Sequence, residues 1–188
     1  PGGKVLINEE VNISGKVEVY ATLEITDGGT LNLLSRKWGP IYIRDGLGEV
    51  INNGNMFRYY YVNNSWSYRA YKDQPGTFVD FELRDWEDEI DGVEVSVFNN
   101  QTYPGLPGST KRWWRINPVG EGEVTEYLIK FYYDDALLNG QKEENLKVYR
   151  SVDEGETWEL ISFGEYAVLD TVENFISIGV WSKHESLL

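Results

Sequence analysis

The sequence predicts an all-β protein, and three observations carry that prediction. Apolar and polar residues alternate over many short segments, which is the period-2 pattern of strands with one buried face. Glycine, proline and asparagine recur between these segments and supply turns. Aromatic residues, which favour strands, are abundant: 7 Trp, 13 Tyr and 7 Phe occur in 188 residues. We therefore expect an antiparallel β-sandwich of the immunoglobulin-like or jelly-roll-like kind.

Alternation is most persistent in the first 54 residues, and two arrangements explain it. The strands could be rungs of a short β-solenoid, or they could be hairpins that form the first sheet of the sandwich. We favour strands within one sandwich-like body, because no strict repeat period is visible. The apolar side chains fall on odd positions: Val5, Ile7, Val11, Ile13, Val17, Val19, Leu23, Ile25, Leu31, Leu33, Ile41 and Ile43.

The segment Asp73-Gln74-Pro75-Gly76 interrupts the strand pattern and is the best internal boundary. We therefore expect an N-terminal β region over residues 1–72, which contributes a first sheet or solenoid-like rungs. Residues 73–188 are expected to form a β-sandwich module. The alternative is that both parts form one continuous body.

Residues 56–72 form an aromatic band, in which Asn63-Asn64 is expected to turn a hairpin. Its rings would either pack across the hairpin and onto the core or present a sugar-stacking face. Trp113 beside Arg112 or Arg115 could form a cation-π pair. The residues expected to bind a carbohydrate are Tyr60, Trp66, Arg69, Tyr71, Trp86 and Trp113.

Five carboxylates lie within the seven residues 85–91, which we expect to be a loop between two strands. Ca²⁺ takes six to eight oxygen ligands of this kind. The segment lacks the spacing of an EF-hand, and a solvated acidic loop is the alternative. The candidate calcium ligands are Asp85, Glu87, Asp88, Glu89 and Asp91.

The stretch from Lys111 to Trp158 carries the most local detail. Trp114 and Ile116 are expected to face inward. Residues 124–133 alternate as a half-buried strand, Asn139-Gly140 supplies a tight turn, and a second strand is expected to place Leu146 and Val148 on one face.

Ser151-Val152-Asp153-Glu154-Gly155-Glu156-Thr157-Trp158 fits the pattern Ser-x-Asp-x-Gly-x-Thr-Trp. This pattern resembles the Asp-box of sialidases and many other extracellular β proteins. The resemblance implies that Asp153 caps a hairpin turn, that Gly155 takes the strained position and that Trp158 packs beneath. Because the chain is too short for several four-stranded propeller blades, we expect Asp153 to be a turn residue and not a catalyst.

A second resemblance spans about residues 78–182. Arg112-Trp113-Trp114-Arg115-Ile116, Tyr133-Asp134-Asp135, Leu138-Asn139-Gly140, Tyr149-Arg150 and the closing strand to Trp181-Ser182 look like a β-sandwich module near the C-termini of large secreted microbial cell-surface proteins. The resemblance implies an exported, cell-surface or matrix protein, and it does not imply a reaction.

Composition bounds the function further. The formal net charge of −14 disfavours a nucleic-acid partner, and the absence of cysteine removes thiol and disulfide chemistry. No apolar run approaches the ~18 residues of a membrane span. His184 is the only histidine, and no carboxylate pair is distinguished, so we expect no enzyme.

We expect a non-catalytic extracellular structural or adhesive module, which associates with itself or with other surface-protein subunits in a cell-surface or filamentous assembly. Strand exchange through Val5, Leu6 and Ile7 would join the subunits. The alternative is a module that binds a polysaccharide, and a glycoside hydrolase fragment is a remote one. The only cofactor expected is Ca²⁺, at the acidic segment.

Overall fold

The computed structural model describes residues 3–34, 41–43, 49–61, 69–71, 76–86, 90–122, 124–161 and 168–181. These residues are mostly β, as expected, with two short 3-10 helices at Asp135–Leu137 and Glu143–Asn145. The strands are β1 Lys4–Ile7, β2 Glu10–Ile13, β3 Val17–Val19, β4 Thr22–Ile25, β5 Thr30–Leu33, β6 Ile41–Ile43, β7 Glu49–Asn52, β8 Asn55–Tyr61, β9 Arg69–Tyr71, β10 Val79–Trp86, β11 Ile90–Asn99, β12 Arg112–Gly120, β13 Val124–Tyr132, β14 Tyr149–Arg150, β15 Glu159–Leu160, β16 Val168–Asp170 and β17 Phe175–Trp181.

The first eight strands pair in parallel, each with the strand three places along the chain. They form the series β1-β4-β7, β2-β5-β8 and β3-β6. The hairpin arrangement is therefore wrong for these strands, because tight hairpins join only antiparallel neighbours. We call β1 to β8 the parallel stack, and β1, β2 and β3 its first row.

The turns of the parallel stack lie directly on one another, which explains why two positions in these turns must be glycine. A Cβ at Gly29 would overlap the carbonyl oxygen of Ile7 in the row before, and a Cβ at Gly54 would overlap the carbonyl oxygens of Gly29 and Thr26. Only glycine allows backbones to approach this closely. The stacked turns bring the apolar odd positions into one core, made of Ile7, Val19, Leu23, Ile25, Leu31, Leu33, Met56 and Val97.

Strand β8 joins the parallel stack to an antiparallel part. It pairs in parallel with β5 and antiparallel with β11, so that a five-stranded mixed sheet runs in the order β12-β11-β8-β5-β2. The second five-stranded sheet is antiparallel, in the order β16-β17-β13-β10-β9. Because β8 precedes and β11 follows the boundary predicted at residues 72 and 73, a single sheet crosses that boundary.

The second arm of the hairpin predicted around Asn63-Asn64 lies outside the described residues. The described strands β8 and β9 do not pair with each other. Strand β8 already has β5 on one edge and β11 on the other, and β9 pairs with β10 in the second sheet. The chain therefore crosses from one sheet to the other between these strands. Asn63 and Asn64 themselves lie outside the described residues.

The two five-stranded sheets share a core. The ring of Tyr60 in β8 meets Phe81 of β10 edge-on, with centroids 4.8 Å apart. Trp114 and Ile116 of β12 face inward as predicted, and the indole N–H of Trp114 donates to the carbonyl of Thr77 at 2.9 Å. The buried members of this core are Tyr60, Val79, Phe81, Leu83, Ile90, Val93 and Val95.

The predicted turn at Asn139-Gly140 is confirmed, with φ angles of 55° and 79°. The strand predicted after it begins only at Tyr149, as the short β14, and it pairs with β15. It does not pair with β13, because both edges of β13 are occupied by β10 and β17. The two 3-10 helices fill this connection instead. Leu146 and Val148 still lie on one side, in a small cluster with Leu138 and Ile176.

A chain of buried polar groups links the parallel stack to both sheets. Asn52 donates to the carbonyl of Gly76 and accepts from the backbone N–H of Gly54. Asn99 donates to the carbonyl of Gly54 at 2.7 Å and accepts from Nε of Arg112 at 2.6 Å. Asn52, Asn99 and Arg112 are all buried.

Arg112 completes this chain. Its Nη1 donates to the carbonyl of Tyr132 in the second sheet at 2.9 Å, and its guanidinium lies 3.8 Å from the ring centroid of Phe78. Its cation-π partner is therefore Phe78 and not Trp113. Burial lowers the pKa of Arg112 to about 10, partly offset by Asp134, so the group stays charged at neutral pH and needs all of its polar partners.

We predict that Asn99→Ala lowers the free energy of unfolding by about 2–4 kcal/mol, because it leaves the buried Nε of Arg112 and the carbonyl of Gly54 without partners. Urea unfolding measures this change. Gln101→Ala is the control, since Gln101 bonds Asn55 at the exposed surface and should change stability by less than about 1 kcal/mol. Equal effects of the two substitutions would contradict the role of Asn99.

Candidate functional site

Two of the residues expected to stack on sugars, Tyr60 and Trp113, have described side chains, and neither ring lies open to solvent on both faces. Tyr60 lies in the core, 2% exposed, and its hydroxyl is 2.8 Å from Oγ1 of Thr77. Alternation along β8 turns it inward together with Met56. Its ring therefore presents no face to solvent, and we remove it from the candidate binding residues.

Trp113 is half-buried within a row of rings. It stacks on Phe98 at a centroid distance of 3.8 Å and an angle of 11°, and it meets Tyr103 at 4.9 Å and 77°. The ring of Tyr103 in turn meets Trp158 at 4.8 Å and 77°. One face of Trp113 is thus already covered by Phe98, which leaves less of the ring to stack on a ligand.

The side chains of the other four predicted stacking residues lie outside the described part of the chain. Trp66 lies outside the described residues. Arg69 and Tyr71 are backbone positions of β9, and Trp86 ends β10, but their side chains are not described. These four residues remain a prediction.

The acidic segment is not the single loop that the sequence predicts. Asp85 lies in β10 and Asp91 in β11, and these two strands belong to different sheets. Glu87, Asp88 and Glu89 lie outside the described residues. Among the side chains that the structure describes, no group of three or more His, Cys, Asp or Glu is arranged to hold a metal ion. The calcium site remains a prediction.

The Asp-box segment forms a turn between β14 and β15, closed by its own side chains. Asp153 accepts from the backbone N–H of Thr157 through Oδ1 at 2.9 Å and from the hydroxyl of Thr157 through Oδ2 at 2.6 Å. Ser151 donates to Oδ1 of Asp153 at 2.7 Å and accepts from the backbone N–H of Gly155. The bonds from Thr157 and then from Ser151 lower the pKa of Asp153 to about 2.

Tyr103 docks this turn onto the five-stranded mixed sheet, a contact that no pattern in the sequence predicts. Its hydroxyl donates to the carbonyl of Glu154 at 2.6 Å, while its ring lies between Trp113 and Trp158. Glu154 and Gly155 both have positive φ angles, 56° and 93°. A Cβ at Gly155 would overlap the Tyr103 ring. The Asp-box turn is thus a fixed part of the scaffold.

The first row of the parallel stack presents an exposed strand edge with an apolar character. Strand β1 ends its sheet, and β2 ends the five-stranded mixed sheet. Val5 and Leu6 are 57% and 56% exposed, whereas Ile7 is buried at 6%. Of the three residues predicted to join a neighbour, two are thus exposed at an edge and the third belongs to the core.

Hydrogen bonds show which backbone groups of the first row are turned to that edge. Thr22 and Thr26 donate to the carbonyls of Gly3, just before β1, and of Ile7 at its end, so the odd residues along this segment face β4. Successive residues of a strand turn their backbone groups to opposite edges. The N–H and C=O of Leu6 therefore point to the outer edge of β1, where no described strand lies.

Comparisons with protein-family models, with characterised proteins and with solved structures give no match to this chain. The resemblance to cell-surface modules therefore stays an expectation from the residue pattern. None of the described helical segments has the length and apolar character needed to cross a membrane. The candidate site with the best geometric support is the open first row.

We predict that Gly155→Ala destabilises the protein more than Gly105→Ala. Both glycines have positive φ angles, 93° and 96°, so each alanine adds backbone strain of about 1–2 kcal/mol. A Cβ at Gly105 meets open space, whereas one at Gly155 displaces Tyr103, which should add at least about 1 kcal/mol. Urea unfolding compares the two variants, and equal losses would contradict the docking role of Tyr103.

We predict that the Asp-box turn weakens only in strong acid. The pKa of Asp153 in the folded protein is lower than its ordinary value, so its contribution is complete above about pH 4 and is lost as the pH falls through about 2. The NMR shift of the Thr157 amide should titrate with a midpoint near that lower value. A midpoint at the ordinary aspartate pKa would show that the carboxylate is not bonded as described.

Proposed function

We propose that this chain is a non-catalytic structural or adhesive β module of an extracellular or cell-surface protein, and that it associates with other β structure through its first row. The observation that carries the proposal is the outer edge of β1, where no described strand pairs with the backbone groups of Leu6 and where the apolar side chains of Val5 and Leu6 are exposed. Such an edge is a template for another strand.

The extracellular placement rests on the sequence pattern. The Asp-box turn and the resemblance to surface-protein modules both point outside the cell. The chain also lacks cysteine, so its stability comes from packing and from the buried polar chain around Arg112. The polysaccharide-binding alternative depends on Trp66, Arg69, Tyr71 and Trp86, whose side chains lie outside the described part of the chain, and so the first row is the better supported surface.

We predict that the native chain self-associates as its concentration rises and that Leu6→Pro abolishes this association. Proline removes only the N–H that points to the outer edge, and edge strands tolerate it. The thermal midpoint of Leu6→Pro should therefore stay close to that of the native chain. Analytical ultracentrifugation measures the association.

Val5→Pro is the matched control. The backbone of Val5 faces β4, so proline there breaks a bond within the parallel stack and should lower the thermal midpoint. A native chain that stays monomeric at all concentrations would contradict self-association. So would a Leu6→Pro variant that associates like the native chain.

A further inference from the structure

We propose that the partner of the first row is a second copy of this chain, bound head to head in a closed pair with two-fold symmetry. This inference rests on the proposed function and deepens it, because it names the partner and limits the assembly to two chains. Four observations on the parallel stack lead to it.

The first observation is that the core of the stack is open at one end. In the second row, which is β4, β5 and β6, the side chains of Leu23, Ile25, Leu31 and Leu33 are buried, with exposures of 0–8%. They have a row on either side. In the first row, Ile7 and Val19 are buried, but Val11, Ile13 and Val17 are only half-buried, although they belong to the same core. A further layer on the first row would bury them as the second row is buried.

The second observation is that similar residues lie on one another across the rows. Ile7 pairs with Ile25, Ile13 with Leu33, and Asn12 with Asn32. The amide of Asn32 donates to Oδ1 of Asn12 at 2.8 Å. Residues of the first row thus already pack against residues of the same type in the second row. The first row of a second copy would offer these same residue types.

The third observation is that, at the opposite end of the stack, another strand covers the last parallel strand of the five-stranded mixed sheet. Strand β8 is the last strand of its parallel series, and β11 covers its far edge. A second copy cannot extend that sheet by adding its first row to β8, so growth from head to tail is blocked there. A head-to-head contact uses the same surface of both chains and closes after two.

The fourth observation concerns charge. The whole chain carries a formal net charge of −14, which opposes self-association at most surfaces. Residues 3–20 hold two lysines and three glutamates, so their charges nearly cancel. Lys4 forms an ion pair with Glu24, and Lys16 forms one with Glu18. Two copies therefore repel each other only weakly at this end.

The parallel stack has three sheets, which are the series β1-β4-β7, β2-β5-β8 and β3-β6. In the proposed pair, the two-fold axis runs perpendicular to one of these sheets and exchanges the other two. In the sheet on the axis, a strand of the first row lies antiparallel to its own copy. Residues opposite each other in such a pair have Cβ atoms about 4.5–5.5 Å apart, close to the spacing that a disulfide bridges. The axis passes one residue of that strand, so an outward residue of β1, β2 or β3 should lie either opposite its own copy or diagonally next to it, two residues along the strand.

Cysteine cross-linking of the full chain tests this, because the native chain has no cysteine. Three single variants, Leu6→Cys, Asn12→Cys and Glu18→Cys, sample the outward faces of β1, β2 and β3. Val172→Cys is the control for random collisions, since Val172 is 88% exposed and lies in the turn between β16 and β17, outside the parallel stack. Each protein is oxidised with copper phenanthroline at a concentration where the native chain associates, and the products are separated by denaturing electrophoresis.

The expected result is rapid formation of a covalent dimer by at least one of the three variants, at least about tenfold faster than by Val172→Cys. Adding Leu6→Pro to the reactive Asn12→Cys or Glu18→Cys variant should reduce its cross-linking to the control rate. If Leu6→Cys is the reactive variant, Asn12→Pro takes the place of Leu6→Pro.

Other outcomes separate the two proposals. Association of the native chain that Leu6→Pro abolishes, with no cross-link above the control, would overturn the closed pair and retain the open edge. Native oligomers larger than two that depend on the first row would do the same. A chain that neither associates nor cross-links would overturn both proposals.

Discussion

The hydrogen bonds of the Arg112 guanidinium hold the structure together at the point where its two kinds of sheet meet. Asn99 of β11 accepts from Nε, and the carbonyl of Tyr132 in β13 accepts from Nη1. Asn99 also reaches back to Gly54 at the start of β8. A buried charge is costly unless its donors are satisfied, so this arrangement fixes the relative positions of β8, β11 and β13.

The junction at β8 makes the two ends of the parallel stack unequal. At one end β11 pairs with β8 and continues the sheet into the antiparallel part. At the other end β1 and β2 have an outer edge, and the apolar side chains of the first row are partly open. An edge that is left open on an otherwise well-connected body is a surface for association. The proposed function follows from this asymmetry and not from any chemical group.

Local features of the fold could be predicted from the sequence. Alternation placed Trp114 and Ile116 inward and put Leu146 beside Val148, because side-chain direction depends only on neighbouring backbone. Asn139-Gly140 was predictable as a turn from its conformational preferences. The Asp-box turn was equally accessible, since its bonds join Ser151, Asp153 and Thr157 within a few residues.

Strand partners were not predictable, because a period-2 pattern is the same in parallel and antiparallel sheets. Val5, Ile7 and their successors alternate equally well in hairpins and in the stacked rows that the structure shows. Aromatic residues occupy both sides of β8, so the sequence does not distinguish a buried Tyr60 from one on a binding face. Tyr103 was missed because its partner Glu154 is 51 residues away, and no local pattern encodes such a contact.

Native-state hydrogen exchange tests the central claim, that the β8 junction makes the parallel stack and the two sheets one cooperative body. The amides of Ile25 and Leu33 report on the parallel stack, and those of Val95 and Val97 report on β11. The account predicts one opening free energy for all four amides, equal to that of global unfolding. Exchange of Ile25 and Leu33 at a clearly lower opening free energy, with Val95 and Val97 still protected, would contradict it.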